Sequence, residues 1–306
     1  MRTRRTPGRS WGLLFQACTG LAAFLIVAMV AVILVHIALH GWQNLSWAFL
    51  VEAPREANTE GGIYPAIIGT FLLVLLMTVA GVPLGVLTAI YLQEYASPGS
   101  RLVHLIRLAV QNLAGVPSIV FGLFGLGFFV QFSGRHIDTL FYGGQIHYSQ
   151  PCILWASLTM AVLTLPTVIV ATEEALRAVP RGYREAAYAL GATRWQMVWH
   201  VLIPQSMGGI LTGTILAISR GAGEVAPILF TGAAYSLPDL PSHLTDQFME
   251  LGYHIYIMAT QSPDIDATQP ILYATVLVLL GLTFALNFTA ILIRSRIRRR
   301  LRGMRG

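Results

Sequence analysis

The chain has 306 residues, of which 55% are hydrophobic and only 11% charged, and its formal net charge is +6. Water-soluble domains carry a charge on about a quarter of their residues, so this composition excludes an ordinary soluble protein and indicates a membrane-embedded one. All twenty basic residues are arginine, and the lack of lysine excludes a P-loop ATPase and Schiff-base catalysis, because both need that side chain.

Six apolar runs are long enough to cross a bilayer, which takes about 20 helical residues. Backbone polar groups in lipid must bond within their own segment, so runs of this length are predicted to be helices. The sequence therefore predicts an all-α integral membrane protein with six transmembrane helices. The predicted spans are 12–36, 66–92, 105–131, 151–172, 207–233 and 272–293.

The arginines are concentrated on one side of the predicted bilayer. An N-terminus in the cytoplasm places seventeen of the twenty arginines inside, two outside and one within a span. Cytoplasmic segments of bacterial inner-membrane proteins carry such an excess. The pattern predicts a multi-pass inner-membrane protein whose Arg-rich tails, 1–11 and 294–306, are both cytoplasmic. The C-terminal tail directly follows a span, which favours contact with anionic membrane lipid over nucleic acid.

Between the tails, the predicted organisation is a first helix with its periplasmic loop, 12–65, and a core of five helices, 66–293. The third predicted span of the chain, 105–131, is interrupted by the stretch from Asn112 to Ser118, and three glycines follow it at Gly122, Gly125 and Gly127. Small residues allow helices to pack closely in lipid, and broken helices at membrane depth also line cavities. The spacing leaves both interpretations open.

The longest predicted cytoplasmic loop, 173–205, has the pattern of a short helix–turn–helix. Helix-forming residues lead to Gly191, which favours a turn, and a second helical stretch follows and is predicted to stop at Pro204. An apolar helix that enters a groove is a common docking mode. Three apolar side chains are expected to be exposed on this element: Trp195, Met197 and Trp199.

This loop resembles the EAA motif of the permeases of type I ABC importers, which reads Glu-Ala-Ala, three residues, Gly, nine residues and Ile-x-Leu-Pro. Two conservative replacements stand at the Ile and Leu positions. The matching residues are Glu185, Ala186, Ala187, Gly191, Val201, Ile203 and Pro204. The resemblance implies the MetI-like permease fold, and a coupling loop, formed by these residues, that sits in a cleft of a separate ATPase subunit.

Longer phrases resemble the PstA-type permeases of phosphate-specific importers, and the similarity covers most of 60–293. They include Asn112-Leu-Ala-Gly-Val-Pro-Ser-Ile-Val-Phe-Gly-Leu-Phe-Gly125 and Gly221-Ala-Gly-Glu-Val-Ala-Pro-Ile-Leu-Phe-Thr-Gly232. The resemblance implies a subunit that carries phosphate and pairs with a PstC-type permease, two PstB-type ATPases and a periplasmic PstS-type phosphate-binding protein. ATP and Mg would be bound by the ATPases, and this chain would bind no cofactor or metal. An importer of the same type for sulfate, molybdate or another polar nutrient is the alternative.

The predicted fifth span contains two charged residues, Arg220 and Glu224. A charge at the centre of a bilayer costs about 3 kcal/mol or more, so its presence needs a reason. Residues four apart share a helix face and can pair, and guanidinium donors match phosphate oxygens. The resemblance supports a role in the substrate path or gate. Two alternatives are an ion pair that only fixes helix packing, and an intramembrane enzyme that uses Glu224 as acid or base.

Overall fold

The computed structural model describes residues 8–55, 60–97, 99–262 and 264–303. Arg2, Arg4 and Arg5 of the predicted N-terminal tail, and the last three residues of the C-terminal tail, lie outside this range. Within it, the predicted six-span all-α architecture is confirmed. The helices that are long and apolar enough to span a membrane are Trp11–Asn44, Tyr64–Tyr95, Ser118–Phe141, Ile153–Arg177, Arg194–Gly221 and Ile265–Arg296.

The first span, helix α1 (Gly8–Gly41), is followed by a small connecting unit. It consists of a short 3₁₀ turn (Trp42–Asn44), helix α2 (Trp47–Val51) and two short antiparallel strands, β1 (Pro54–Arg55) and β2 (Glu60–Gly61). Ser46 begins α2, because its hydroxyl accepts a hydrogen bond from the backbone N–H of Phe49 at 3.1 Å.

The centre of the molecule is formed by helices α3 (Tyr64–Ile90) and α7 (Ile153–Arg177), with α10 (Ile203–Gly221) packed against both. Buried side chains such as Leu73, Met77 and Met160 fill the space between them. Helix α1 packs against the last helix, α12 (Ile265–Gly303), at the edge of the bundle, and the most apolar stretch of each contains no buried residue. These outer faces are therefore available to lipid or to another subunit.

The third span differs from its predicted range of 105–131. Helix α4 (Arg101–Leu113) is separate, and the crossing helix begins at α5 (Ser118–Phe124), continues through a wider π-type stretch (Gly125–Gly134) and ends with α6 (Arg135–Phe141). The predicted break between Asn112 and Ser118 is thus present, but it divides two elements. The physical reason is that α4 carries three titratable side chains within two turns, Arg101, His104 and Arg107, which keep it out of the hydrocarbon.

The fifth span also differs from its prediction at both ends. Helix α9 (Arg194–Gln196) continues through a π-type stretch (Met197–Leu202) into α10, so the predicted stop at Pro204 is wrong. The π-type stretch lies directly before Pro204. In a regular α-helix the proline ring would clash with the carbonyl of the preceding turn, and the wider π-type turn relieves this clash. At the other end α10 stops at Gly221, not at residue 233, and residues 222–233 form turns.

The segment 222–246 is irregular yet lies against the interior of the bundle. Three carbonyls in it accept the first backbone N–H groups of the α7 region, from Cys152, Ile153 and Leu154, at 2.9 to 3.1 Å. These N–H groups have no partner within their own helix, and irregular backbone at membrane depth is tolerated only when protein covers it. The segment therefore stabilises the outer end of α7.

Two of the glycines that follow the break allow this approach. A Cβ on Gly122 would lie 2.9 Å from the carbonyl oxygen of Ala226, and a Cβ on Gly125 would lie 2.7 Å from Thr231 Cγ2 and would also overlap Thr159 of α7. Gly127 has open space beside it. Close packing therefore explains the first two glycines but not the third. Four residues after this segment, Glu250 caps helix α11 (Leu251–Gln261), because its carboxylate accepts the backbone N–H groups of Gly252 and Tyr253.

Candidate translocation pair and coupling loop

Arg220 and Glu224 form an ion pair, with Arg220 Nε 3.5 Å from Glu224 Oε1. Arg220 belongs to the last turn of α10, and Glu224 lies in the turn that follows the helix. The spacing predicted the contact correctly although it assumed a longer helix. The reason is that the turn continues the helical direction, with the Glu224 N–H directed at the carbonyl of Gly221 at 3.4 Å.

The pair lies near the middle of the bundle and is not buried within this chain. The neighbouring residue Gly221 lies against Met77 at the centre of α3. The contact is so close that a Cβ on Gly221 would lie only 2.5 Å from Met77 Sδ. The side chain of Arg220 is 43% exposed and that of Glu224 is 24% exposed. A Cβ on Gly223 would meet no atom within 4 Å, so the surface beside the pair is open.

A polar contact that sequence reasoning missed holds this end of α10 in place. Ser219 Oγ donates a hydrogen bond to Asn287 Oδ1 of α12 at 2.5 Å, one residue before Arg220. Polar side chains within a membrane often connect neighbouring helices in this way. The signal in the sequence is Asn287 itself, an amide inside an otherwise apolar run, but its partner is 68 positions away.

The predicted coupling loop has the form of a helix–turn–helix. Helix α8 (Arg181–Ala189) ends before Gly191, whose φ of +81° is a left-handed conformation that glycine adopts without strain. Helix α9 then begins with a reciprocal cap: the Thr193 hydroxyl accepts the N–H of Gln196, and the Gln196 side chain accepts the N–H of Thr193.

The loop residues divide into a surface set and a buried set. Glu185, Ala186 and Gly191 are exposed, whereas Ala187 and Ile203 are buried, and Val201 and Pro204 are half-buried. Ala187 and Ile203 belong to one apolar cluster, and Val201 packs against it, so the later EAA-like positions hold the loop onto the bundle.

The expected apolar surface is partly confirmed. Trp195 and Trp199 are 61% and 40% exposed and their rings lie 5.0 Å apart, but Met197 is fully buried and its predicted exposure is wrong. The helical turn directs Met197 inward, into the same apolar cluster as Ile203. Leu190, which the sequence analysis did not single out, is 89% exposed at the turn.

Arg184 anchors the coupling loop to the spans. Its guanidinium lies 2.9 Å from Glu94 Oε1 at the end of the second span and donates to the backbone carbonyls of Leu176 and Val179 at 2.9 and 2.8 Å. Sequence reasoning missed this positioning residue, since Glu94 is 90 positions away and nothing local marks the pair.

Comparison with known proteins decides the family. Residues 81–303 match the family model described as the binding-protein-dependent transport system inner membrane component. The chain belongs to this family. It is therefore a multi-pass inner-membrane permease of the ABC importer class, in which ATP hydrolysis is the work of a separate subunit. The family also implies a substrate-binding protein as a partner.

Curated relatives of this permease carry ABC transporter names. It is 33% identical over 262 residues to the probable ABC transporter permease protein YqgI of Bacillus subtilis, an alignment that covers 81% of this chain and 84% of the relative. It is 41% identical over 193 residues to the phosphate transport system permease protein PstA of Yersinia pestis. That alignment covers 62% of this chain and 60% of the Yersinia protein.

A solved structure shows the same fold at low sequence identity. A chain of a bacterial alginate ABC transporter, in complex with an alginate-bound periplasmic protein, superposes with a TM-score of 0.64 over 98% of both chains, at 16% identity. The ABC importer permease fold that the EAA-like loop implied is therefore confirmed. At this identity the likeness concerns the fold alone.

Proposed function

We propose that this chain is the PstA-type permease of an ATP-driven inorganic phosphate importer, in which it forms half of the translocation path. The observation that carries the proposal is the partly exposed pair of Arg220 and Glu224, which lies at the end of the fifth span and beside the centre of α3. Lipid cannot cover a charged pair with this exposure without a large cost, so that face meets water or another subunit. A single permease supplies one wall of such a path, and a PstC-type permease supplies the other.

Phosphate fits the chemistry of this pair, and the similarity to a phosphate permease favours it over other oxyanions. The planar guanidinium of Arg220 presents a fork of donors that matches two oxygens of a phosphate, and Glu224 balances its charge when the anion leaves. The relative from Yersinia pestis is named as a phosphate transport permease, which supports the same cargo. A translocation path has to release its cargo. Because Glu224 competes with the anion for the guanidinium of Arg220, phosphate is bound more weakly here than it would be by an unpaired arginine.

The coupling loop supplies the link to ATP. Glu185, Ala186, Leu190 and the two exposed tryptophans form its outer surface, which suits a cleft in a PstB-type ATPase. Two ATPase copies bind ATP and Mg, a PstS-type protein delivers phosphate from the periplasm, and this chain binds no cofactor. Among the described residues, no group of three or more His, Cys, Asp or Glu side chains is arranged to hold a metal ion.

Anion competition tests the cargo. The importer, purified with its partners and reconstituted in vesicles, is expected to take up labelled phosphate only with ATP. A tenfold excess of unlabelled phosphate should suppress the signal, whereas equal excesses of sulfate or molybdate should leave it almost unchanged. Uptake suppressed equally by sulfate would contradict phosphate as the cargo. Activity of this chain alone on any substrate, without ATPases, would favour the intramembrane enzyme.

Topology is a separate prediction that follows from the arginine distribution. A reporter fused after Gly306 should be cytoplasmic, and one inserted near Gly143 should be periplasmic. Gly143 suits an insertion, since it follows α6 in an exposed loop with no atom within 4 Å of a Cβ placed there. A cytoplasmic signal from the Gly143 fusion would refute the proposed orientation of the third and fourth spans.

A further inference from the structure

A basic pocket of about 640 Å³ lies where the ends of the second and fourth spans meet helix α4. It is at the same end of the bundle as the coupling loop, the end that the proposed topology places in the cytoplasm. Three arginines and a histidine contribute to its lining: Arg101, His104, Arg107 and Arg177. No acidic side chain is among the described residues that line it.

The positive charge of this basic pocket is only partly balanced by the carboxylate next to it. One carboxylate oxygen of Glu173 accepts a hydrogen bond from Arg107 and the other accepts one from Arg177, each at 3.4 Å. A single negative charge therefore pairs with two guanidinium groups. Arg101 forms no ion pair with any residue that the structure describes. The three arginines and the one carboxylate leave two unbalanced positive charges at the pocket, which is the arrangement that an oxyanion fits.

Beside the basic pocket, α4 presents an apolar face that this chain does not cover. Leu102 and Leu105 are 57% and 62% exposed, whereas Val103 and Ile106 pack inward on the spans. Helix α4 therefore has three sides: one against the bundle, one with titratable groups, and one of exposed leucines. A helix of this kind at the end of the spans is typical of the membrane interface, with its leucines among acyl chains and its arginines at headgroup level.

We propose that the basic pocket binds the phosphate group of an anionic phospholipid, whose acyl chains lie along Leu102 and Leu105. Basic pockets at the cytoplasmic ends of spans suit such headgroups. A free phosphate ion would meet the same guanidinium groups, but it would leave the leucine face uncovered, and this favours the lipid. The inference goes beyond the proposed function, since it does not depend on which cargo the importer carries.

Native mass spectrometry of the full-length chain in detergent tests the proposal. The probes are phosphatidylglycerol and phosphatidylcholine with identical acyl chains, so that they differ only in the headgroup. The wild type is expected to retain phosphatidylglycerol selectively, and R101Q should weaken its binding about fivefold, the contribution of one arginine at a membrane surface. The matched control is R181Q, which removes the same charge from an exposed position on α8 outside the basic pocket and should leave binding unchanged.

A second variant acts in the opposite direction. E173Q keeps a hydrogen-bond acceptor behind Arg107 and Arg177 but removes the charge that opposes the lipid, so phosphatidylglycerol binding should tighten. Equal retention of the two lipids, or equal losses in R101Q and R181Q, would overturn the proposal in favour of a general surface charge. Displacement of phosphatidylglycerol by millimolar inorganic phosphate, with phosphate bound in its place, would overturn it in favour of a free-anion site.

Discussion

Exchanging the two charges of the Arg220–Glu224 pair, in the double variant Arg220→Glu/Glu224→Arg, is expected to abolish phosphate uptake while the chain still inserts and assembles. The observed 3.5 Å contact can re-form with reversed polarity, so any packing role is kept. The cation, however, moves four positions along the chain, which is about 6 Å along a helix, and leaves its original depth. A path for an anion depends on the depth of the cation in the membrane, so the exchange should stop transport. Helix packing depends only on the presence of the ion pair, so assembly should be kept.

The single variant Arg220→Lys separates charge from shape at the same position. Lysine keeps the charge but loses the planar fork, and a lost charge-assisted hydrogen bond is worth about 1.5 kcal/mol or more. Initial uptake rates in reconstituted vesicles should therefore fall about tenfold. Circular dichroism and co-purification of the partner subunits would show that the variant is folded and assembled.

The chain offers a matched control for the charge exchange. Glu52 and Arg55 also form an ion pair at 3.5 Å, with 41% and 68% of their side chains exposed, but they lie in the small connecting unit that follows the first span. The double variant Glu52→Arg/Arg55→Glu should transport at the wild-type rate, because exposed pairs of this kind contribute little. Transport near the wild-type rate in the exchanged Arg220 and Glu224 protein would leave that pair with a packing role only.

The parts of the fold that sequence could predict are those encoded by near neighbours in the chain. Hydrophobic run length determines the number of spans, and the four-residue spacing of Arg220 and Glu224 brings them together even where the helix ends. The turn at Gly191 was predictable for the same reason, since a left-handed residue is a local requirement that glycine satisfies.

The parts that sequence could not predict depend on distant partners. Residues 222–233 are apolar enough to continue a span, but they leave the helix, and Thr231 within them supplies a carbonyl to the N–H of Cys152 at the start of α7. Arg184 finds Glu94 at the end of another span, and Met197 turns inward because an apolar cluster is there to receive it. None of these partners can be recognised from the local sequence.

Replacing Gly191 by valine is expected to uncouple the importer from its ATPase without unfolding the spans. The φ of Gly191 is +81°, where a residue with a Cβ costs about 1–2 kcal/mol and a β-branched one more. A Cβ at this position would meet no atom within 4 Å, so the effect arises from backbone strain alone and not from a clash. The strain is relieved if the turn opens, which moves Leu190 relative to Trp195 on the exposed surface of the loop.

The conservative variant Gly191→Asn is the matched control for this strain. Asparagine adopts left-handed conformations more readily than other residues with a Cβ, so the turn and the docking surface should be largely preserved. Co-purification of the ATPase and ATP-driven uptake are the two measurements. A penalty of 1–2 kcal/mol corresponds to a loss of about 5- to 30-fold in the population competent to dock, and a loss of at least this size is expected for valine, whereas asparagine should lose much less. If valine and asparagine both gave normal co-purification and uptake, the turn at Gly191 would have no part in coupling.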